Sequence, residues 1–190
     1  LHLCDQHLEH IKHDIITRHN LLADVCMAAK FEGETLTRYH PQYQEKYNDS
    51  QICTVLARSF ADIGDIVRGK DLYLGDKKEK DRLQSTLKRI FQKIYNNLMQ
   101  DLKEDKKKKV EAEKRYNGDK NNDFFKLRED WWDANRETVW KAITCNAQGF
   151  DYFRHTCGDE NNPSQTRDNC RCAANTDPPT YFDYVPQYLR

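Results

Sequence analysis

Three stretches of the chain place apolar residues at steps of three and four, and no other feature constrains the fold as strongly. The sharpest stretch ends before Gly69, a residue type that commonly follows a helix. Its apolar positions are Ile52, Val55, Leu56, Phe60, Ile63 and Val67. Residues at this spacing lie on one face of an α-helix, so the pattern predicts a helix over residues 51–67.

Two further stretches show the same spacing and predict helices over residues 80–104 and 122–147. The first carries Leu83, Leu87, Ile90, Phe91, Ile94, Leu98 and Leu102. The second carries Phe124, Leu127, Trp131, Val139 and Ile143, after an Asn121-Asn122-Asp123 cap. Amphipathic helices bury their apolar faces against one another, so the expected fold class is mainly α, a helical bundle.

The remaining segments carry weaker patterns. Residues 1–50 predict one short helix from an N-cap at Asn20 to Ala29, with loops around it. Residues 103–109 predict either a solvated helical extension or a mobile linker. Residues 150–190 are rich in Cys, Asn and Pro and show no period, so we expect irregular structure held by disulfide bonds.

Seven cysteines in 190 residues favour an oxidising compartment and disulfide bonds. The number is odd, so either one thiol is free or its partner lies outside this chain. No stretch approaches the ~18 apolar residues that span a bilayer, and the N-terminus lacks the features of a signal peptide. We therefore expect no membrane anchor and no targeting signal within the chain.

The positions of the cysteines suggest which of them pair. Cys53 opens the first strong helix, and Cys172 lies just before the closing aromatic segment. A bond from Cys53 to Cys170 or Cys172 would fasten the irregular tail to the helices. A bond between Cys170 and Cys172 is not expected, because their side chains point oppositely and their Cα atoms lie near the limit of disulfide reach.

A second disulfide is expected between Cys145 and Cys157, which would close a shorter loop across Gly149. One cysteine of the 170/172 pair would then be spare. Its partner would be Cys4, Cys26 or a cysteine beyond the ends of this chain.

Two groups of residues also invite a zinc interpretation, because Cys and His are the usual zinc ligands. The first group is Cys4, His7, His10 and His13. A three-residue step slips by about 60° per step on a helix, so the ends of this group face opposite sides. The second group is Cys145, His155, Cys157, Cys170 and Cys172, which lacks the C-x2-C spacing of zinc ribbons. We expect neither a metal nor another cofactor, and no catalytic motif indicates an enzyme.

Positive charge is concentrated between Lys77 and Arg115, where 14 basic and 7 acidic residues lie in a chain of zero net charge. Such an excess attracts polyanions, and an oxidising location favours a sulfated glycan over nucleic acid. The candidate glycan contacts are Lys77, Lys78, Lys80, Lys88, Arg89, Lys106, Lys107, Lys108, Lys109, Lys114 and Arg115. The alternative is a solvated helix face whose lysines pair with neighbouring carboxylates.

Five segments resemble the alpha class of Duffy-binding-like domains, from the erythrocyte membrane protein family of malaria parasites. They are VCMAAKFEG (25–33), ARSFADIGDIVRG (57–69), LREDWW (127–132), VWKAITC (139–145) and PTYFDYVPQYLR (179–190). They occur in the family's order and span nearly the whole chain. The resemblance implies a helical, disulfide-rich fold of the Duffy-binding-like type.

The resemblance also implies an extracellular adhesion module rather than an enzyme, displayed on the outer face of the infected erythrocyte as part of a larger membrane-anchored protein. Its expected partners are host red-cell or endothelial receptors, sulfated glycans or blood-group sugars, neighbouring domains of the same polypeptide, and antibodies. Members of this class are linked to rosetting. By resemblance, the variable stretches are 76–122 and 158–169, and the first contains most of the basic run.

By the same resemblance, residues 1–50 correspond to the end of a first subdomain, and 51–190 to most of a second that is incomplete at its C-terminus. This truncation would leave the apolar stripes of 51–67 and 124–147 partly uncovered. Two functions remain open. The chain is either a glycan-binding adhesion module or a structural, antigenically variable part of the adhesive head, with receptor binding on neighbouring domains.

Overall fold

The computed structural model describes residues 18–46, 51–72, 77–149, 154–158, 161–172 and 178–190. Its helices are α1 (Arg18–Lys46), α2 (Ile52–Arg68), α3 (Lys77–Asp101), α4 (Lys106–Arg115) and α5 (Phe125–Ile143). Short 3₁₀ turns lie between α4 and α5, at Asp119–Asn122, and after α5, at Phe182–Tyr184 and Gln187–Leu189. The described residues contain isolated β-bridges but no strand, so the mainly α fold class is confirmed. None of the described helices is both long and apolar enough to cross a membrane.

The three strong helix predictions are confirmed, with bounds a few residues from those expected. α2 ends where the sequence indicated, at Gly69, whose φ of 74° is the left-handed conformation that glycine adopts without strain. α5 begins differently from the prediction. The cap is not Asn121-Asn122-Asp123 but the buried carboxylate of Asp119, which accepts the backbone N–H groups of Lys126 and Leu127 at 3.0 Å each.

The core lies where α1, α2 and α5 pack together, and α3 closes one side. The Phe60 ring of α2 lies 5.2 Å from Trp132 and 5.1 Å from Trp140, both on α5. Trp131, on another face of α5, meets Phe91 of α3 edge-on at 6.1 Å. Large aromatic side chains thus fill the spaces between the helices and set their spacing.

Apart from Val55, which is half-buried, the named apolar positions of α2 and α5 are buried, so the expected partial uncovering of the two stripes is confined to Val55. α1 packs against both helices, and residues 178–190 also lie against α2. The first fifty residues were expected to contain one short helix, yet α1 has 29 residues and runs through Asn20 and Pro41. Its later buried positions include Glu32 and His40. Because these buried side chains are polar, the sequence lacks the regular apolar spacing that would predict the rest of the helix.

Gly33 lies at a close contact between α1 and the end of α5. A Cβ atom at this position would lie 1.9 Å from the backbone oxygen of Ile143. Backbone cannot move aside as a flexible side chain can, so only glycine allows the two helices to pack this closely.

Gly33→Ala should therefore lower the free energy of unfolding by about 1–3 kcal/mol, measured by urea denaturation. In an uncrowded helix, the same substitution would raise stability by about 1 kcal/mol. The exposed neighbour Thr35 gives a control on the same helix, and Thr35→Ala should change stability by less than about 0.5 kcal/mol. An unchanged or raised stability of Gly33→Ala would contradict the close packing of α1 on α5.

One disulfide bond holds the tail, residues 150–190, to the bundle, and a second closes a loop within the tail. Cys53 bonds to Cys170, which is one of the two alternatives expected for Cys53. Cys157 bonds to Cys172, so the expected Cys145–Cys157 bond is wrong, as is the expectation that one of the 170/172 pair is spare. The backbone also holds this region together, because Cys157 and Ser164 exchange N–H···O bonds of 3.0 and 2.7 Å.

Cys145 and Cys26 are the free cysteines among the described residues. Cys145 is exposed just after the end of α5, whereas burial raises the pKa of the Cys26 thiol to about 11. The disulfides occupy three of the five candidate zinc ligands of the second group. The candidate ligands Cys4, His7, His10 and His13 lie outside the described residues.

Buried charges hold residues 178–190 in place, in addition to the disulfides expected from the sequence. Asp183 accepts two bonds from the Arg136 guanidinium and one from Trp132 Nε1, each at 2.8 Å. Arg68 Nη2 donates to Asp65 Oδ1 at 3.0 Å and to the backbone oxygen of Asp183. These bonds join α2 and α5 to the tail.

Candidate polyanion-binding surface

The eleven candidate glycan contacts divide between two helices. Lys77, Lys78, Lys80, Lys88 and Arg89 lie on the first half of α3, and Lys106, Lys107, Lys108, Lys109, Lys114 and Arg115 lie on α4. A short turn after Asp101 separates the helices. The Tyr116 ring, just after α4, lies 6.3 Å from the Tyr95 ring, so the end of α4 lies beside the C-terminal third of α3.

On α3, several of the basic residues take part in the fold. Lys80 Nζ donates to the backbone oxygen of Asp71 at 2.5 Å and lies 3.9 Å from its carboxylate. Lys88 pairs with Asp123, in the turn that precedes α5. These contacts neutralise part of the positive charge and hold α3 against its neighbours.

α4 differs from the other helices because it buries no side chain. Its ten residues include six basic and two acidic ones. The Asp105 side chain caps its start by accepting the Lys108 N–H at 3.1 Å, and the Lys108 ammonium lies 3.2 Å from the same carboxylate. Lys109 lies 3.9 Å from Glu113. α4 is therefore a charged, solvent-exposed helix on the surface of the bundle.

One side of α4 carries lysines that have no acidic partner among the described residues. At about 100° per residue, Lys106, Lys107 and Lys114 fall within an arc of about 100°, with Val110 between them. All three lysines are exposed, and Val110 is 62% exposed. We name Lys106, Lys107 and Lys114 the α4 lysine face. Lys108 and Arg115 lie on the opposite side of the helix.

The opposite side of α4 is joined to α5 through the carboxylate of Asp130. Arg115 donates to both oxygens of Asp130, with Nε 2.6 Å from Oδ2, and Tyr116 Oη donates to Oδ2 at 2.8 Å. The bonds from Arg115 hold the pKa of Asp130 below its usual range. Burial raises the pKa of Tyr116 to about 12, and its bond to Asp130 adds to this.

Lys126 is a basic residue of this surface that the sequence analysis missed. It is exposed on the first turn of α5, and its Nζ lies 3.5 Å from the backbone oxygen of Arg115. It therefore adds positive charge at the C-terminal end of α4. Its position in the sequence, outside the basic stretch 77–115, gave no signal of this proximity.

A family model for the Duffy binding domain matches residues 1–190, the full length of the chain. The chain belongs to the Duffy-binding domain family. Its helical bundle and disulfide bonds agree with the Duffy-binding-like fold expected from the sequence. No curated protein sequence gives a significant match.

Solved structures of this family show the same fold. The chain is 42% identical to the NTS-DBL1-alpha and CIDR-gamma double domain of PfEMP1 from the Plasmodium falciparum varO strain, with a TM-score of 0.75 over 99% of this chain and 25% of that chain. It is also 42% identical to the NTS-DBL1(alpha-1) domain from the same strain, with a TM-score of 0.74 over 99% of this chain and 40% of that chain. These matches confirm the resemblance to the alpha class.

Another relative is the DBLbeta domain of the PfEMP1 IT4var13, whose structure is solved in a complex with ICAM-1. It is 31% identical, with a TM-score of 0.70, and the match covers 99% of this chain and 40% of that chain. The chain therefore spans less than half the length of each of these structures.

Proposed function

We propose that the chain is part of an extracellular adhesion module of a variant surface antigen, and that the α4 lysine face binds sulfated glycans of host cells. The observation that carries the proposal is the set of three exposed lysines on one side of α4, each without an acidic partner among the described residues. The ICAM-1 complex of a relative supports a binding role for the module.

The chemistry of the α4 lysine face suits a chain of sulfate groups. Lysine ammonium groups are compact charges on flexible stems, so they can follow sulfates whose spacing varies along a glycan. At physiological salt the screening length is about 8 Å, so a lysine attracts a sulfate strongly only when the two groups lie close together. Lysines that project into solvent can come this close to a glycan. Within the part of the chain that the structure describes, Lys106, Lys107 and Lys114 have no ion pair to break before they bind.

The proposed location is the outer face of the infected erythrocyte, where disulfide bonds persist. The proposed partners are sulfated glycans first, and then host receptors, blood-group sugars, neighbouring domains of the same polypeptide and antibodies. α4 lies within the stretch 76–122 that the resemblance marks as variable. We therefore expect glycan affinity to differ between variants that carry different residues on this helix.

Two double variants with the same loss of charge test the proposal. Lys107→Gln with Lys114→Gln removes two lysines of the α4 lysine face, and Lys108→Gln with Lys109→Gln removes two lysines that have acidic partners. The first pair should weaken heparin affinity by roughly fivefold to thirtyfold, if each lost ionic contact is worth ~0.5–1 kcal/mol. Heparin affinity is measured by titration at several salt concentrations.

The control pair should weaken heparin binding by less than roughly threefold, because it alters only the long-range attraction. Equal losses in the two double variants would contradict the assignment to the α4 lysine face. If the unsubstituted chain does not bind heparin at low salt, the alternative function gains support. Ion pairs such as Lys88 with Asp123 and Arg115 with Asp130 favour that structural role, because they use basic residues of α3 and α4 to link elements of the fold.

A further inference from the structure

We infer that Asp130 is a positioning residue that fixes the direction of α4 and thereby presents the α4 lysine face to its ligand. This inference rests on the proposed function. Asp130 lies on α5, outside the basic stretch, and carries the charge that a polyanion would avoid. Its role follows from how α4 is attached to the rest of the fold.

α4 has little stability of its own. Isolated helices shorter than about 12–15 residues are marginal in water, and α4 has ten residues and buries no side chain. Its first four residues are all lysines, Lys106 to Lys109, which repel one another. The Asp105 cap satisfies a backbone N–H at the start of the helix, but Asp105 belongs to the same local segment and cannot fix the direction of α4.

The direction of α4 is set at its other end. Arg115 and Tyr116 are consecutive residues at the end of the helix, and their side chains converge on the two oxygens of Asp130. A paired guanidinium and carboxylate have a defined mutual orientation, so this contact fixes rotation as well as distance. The edge-on contact of Tyr116 with Tyr95 adds a link to α3. Arg115 lies on the side of α4 opposite the α4 lysine face, so the attachment to Asp130 turns the lysines toward solvent.

Asp130→Asn distinguishes a positioning role from simple electrostatics, because the two predict opposite signs. The substitution removes a negative charge and releases Arg115, which is 63% exposed. If charge alone mattered, heparin would bind more tightly. If Asp130 positions α4, heparin affinity falls by roughly twofold to thirtyfold, the loss expected for one or two exposed ionic contacts.

Asp101→Asn is the matched control, because Asp101 is exposed and lines the same surface groove as Asp130 and Tyr116. It removes one negative charge without touching the attachment of α4, so heparin affinity should stay the same or rise. Asp130→Glu keeps the charge and should recover at least part of the affinity. Hydrogen exchange without heparin should be faster in residues 106–116 of Asp130→Asn and unchanged in α2.

The outcomes separate this inference from the proposed function. If the unsubstituted chain does not bind heparin, the proposed function fails and this inference fails with it. If the unsubstituted chain binds and Asp130→Asn binds as tightly as Asp101→Asn, the inference alone is overturned. Unchanged hydrogen exchange in residues 106–116 of Asp130→Asn would also overturn it.

Discussion

Replacing Asp183 with asparagine should lower the free energy of unfolding by about 3–5 kcal/mol, the cost of removing one partner from a buried ion pair. Asp183 is 1% exposed, and its carboxylate accepts bonds from Arg136 and Trp132 of α5. An asparagine would leave the buried Arg136 guanidinium uncompensated and would place an amide N–H₂ against a donor. Urea denaturation followed by tryptophan fluorescence measures the loss.

Asp81→Asn provides the control, because Asp81 is exposed on α3 and its removal leaves no buried charge. Its effect on the free energy of unfolding should stay within about 0.5 kcal/mol. A similar small effect for Asp183→Asn would show that the bonds of Asp183 do not hold residues 178–190 to the bundle.

Removing the Cys53–Cys170 disulfide should have the second large effect. The bond joins residues 117 apart, and the chain-entropy model gives about 5 kcal/mol for a closed loop of this size. Both sulfurs are fully buried, so alanine at both positions also removes packing. The Cys157–Cys172 bond spans 15 residues, for which the same model gives about 3 kcal/mol.

The two disulfides can be compared directly. We expect the Cys53→Ala, Cys170→Ala variant to lose more stability than the Cys157→Ala, Cys172→Ala variant in urea denaturation under non-reducing conditions. Peptide mapping without reduction tests the pairing itself. It should recover Cys53 linked to Cys170 and Cys157 linked to Cys172, whereas a peptide that links Cys145 to Cys157 would refute the observed connectivity.

The helices that could be predicted from the sequence are those with an unbroken apolar stripe at steps of three and four, although α2 and α5 also bury charged residues. α2 buries Leu56, Phe60 and Val67 on one face, and its limits agree with the expected helix to within a residue. The length of α1 was underestimated because its buried face includes Glu32, Gly33 and His40. The Ser59 hydroxyl donates to Glu32 at 3.0 Å, and such a partner on another helix is not visible in a local pattern.

The tertiary contacts of charged and sulfur-containing residues could not be predicted for the same reason. Arg68, Arg128 and Arg136 are buried, although arginine is usually exposed. Arg128 Nε, for example, donates to the backbone oxygen of Val67 at 2.6 Å, and burial lowers its pKa to about 10. Cysteine spacing suggested Cys145 as a partner for Cys157, but it does not show that Cys145 is exposed.

The sequence predicted the region of the candidate site but not the individual residues that form it. The excess of positive charge between Lys77 and Arg115 drew attention to α4, but it could not separate lysines with acidic partners from those without. That separation depends on the helical period within α4 and on carboxylates from other segments, such as Asp123 and Asp130. The contribution of Lys126 appears only once α4 and α5 are placed side by side.

Hydrogen exchange of the chain with and without a defined heparin oligosaccharide tests the central claim most directly. If the α4 lysine face binds the glycan, exchange slows in residues 106–115, and residues 178–190 keep their rates. Slowed exchange confined to segments other than α4, or saturable heparin binding with no change in α4, would contradict the claim.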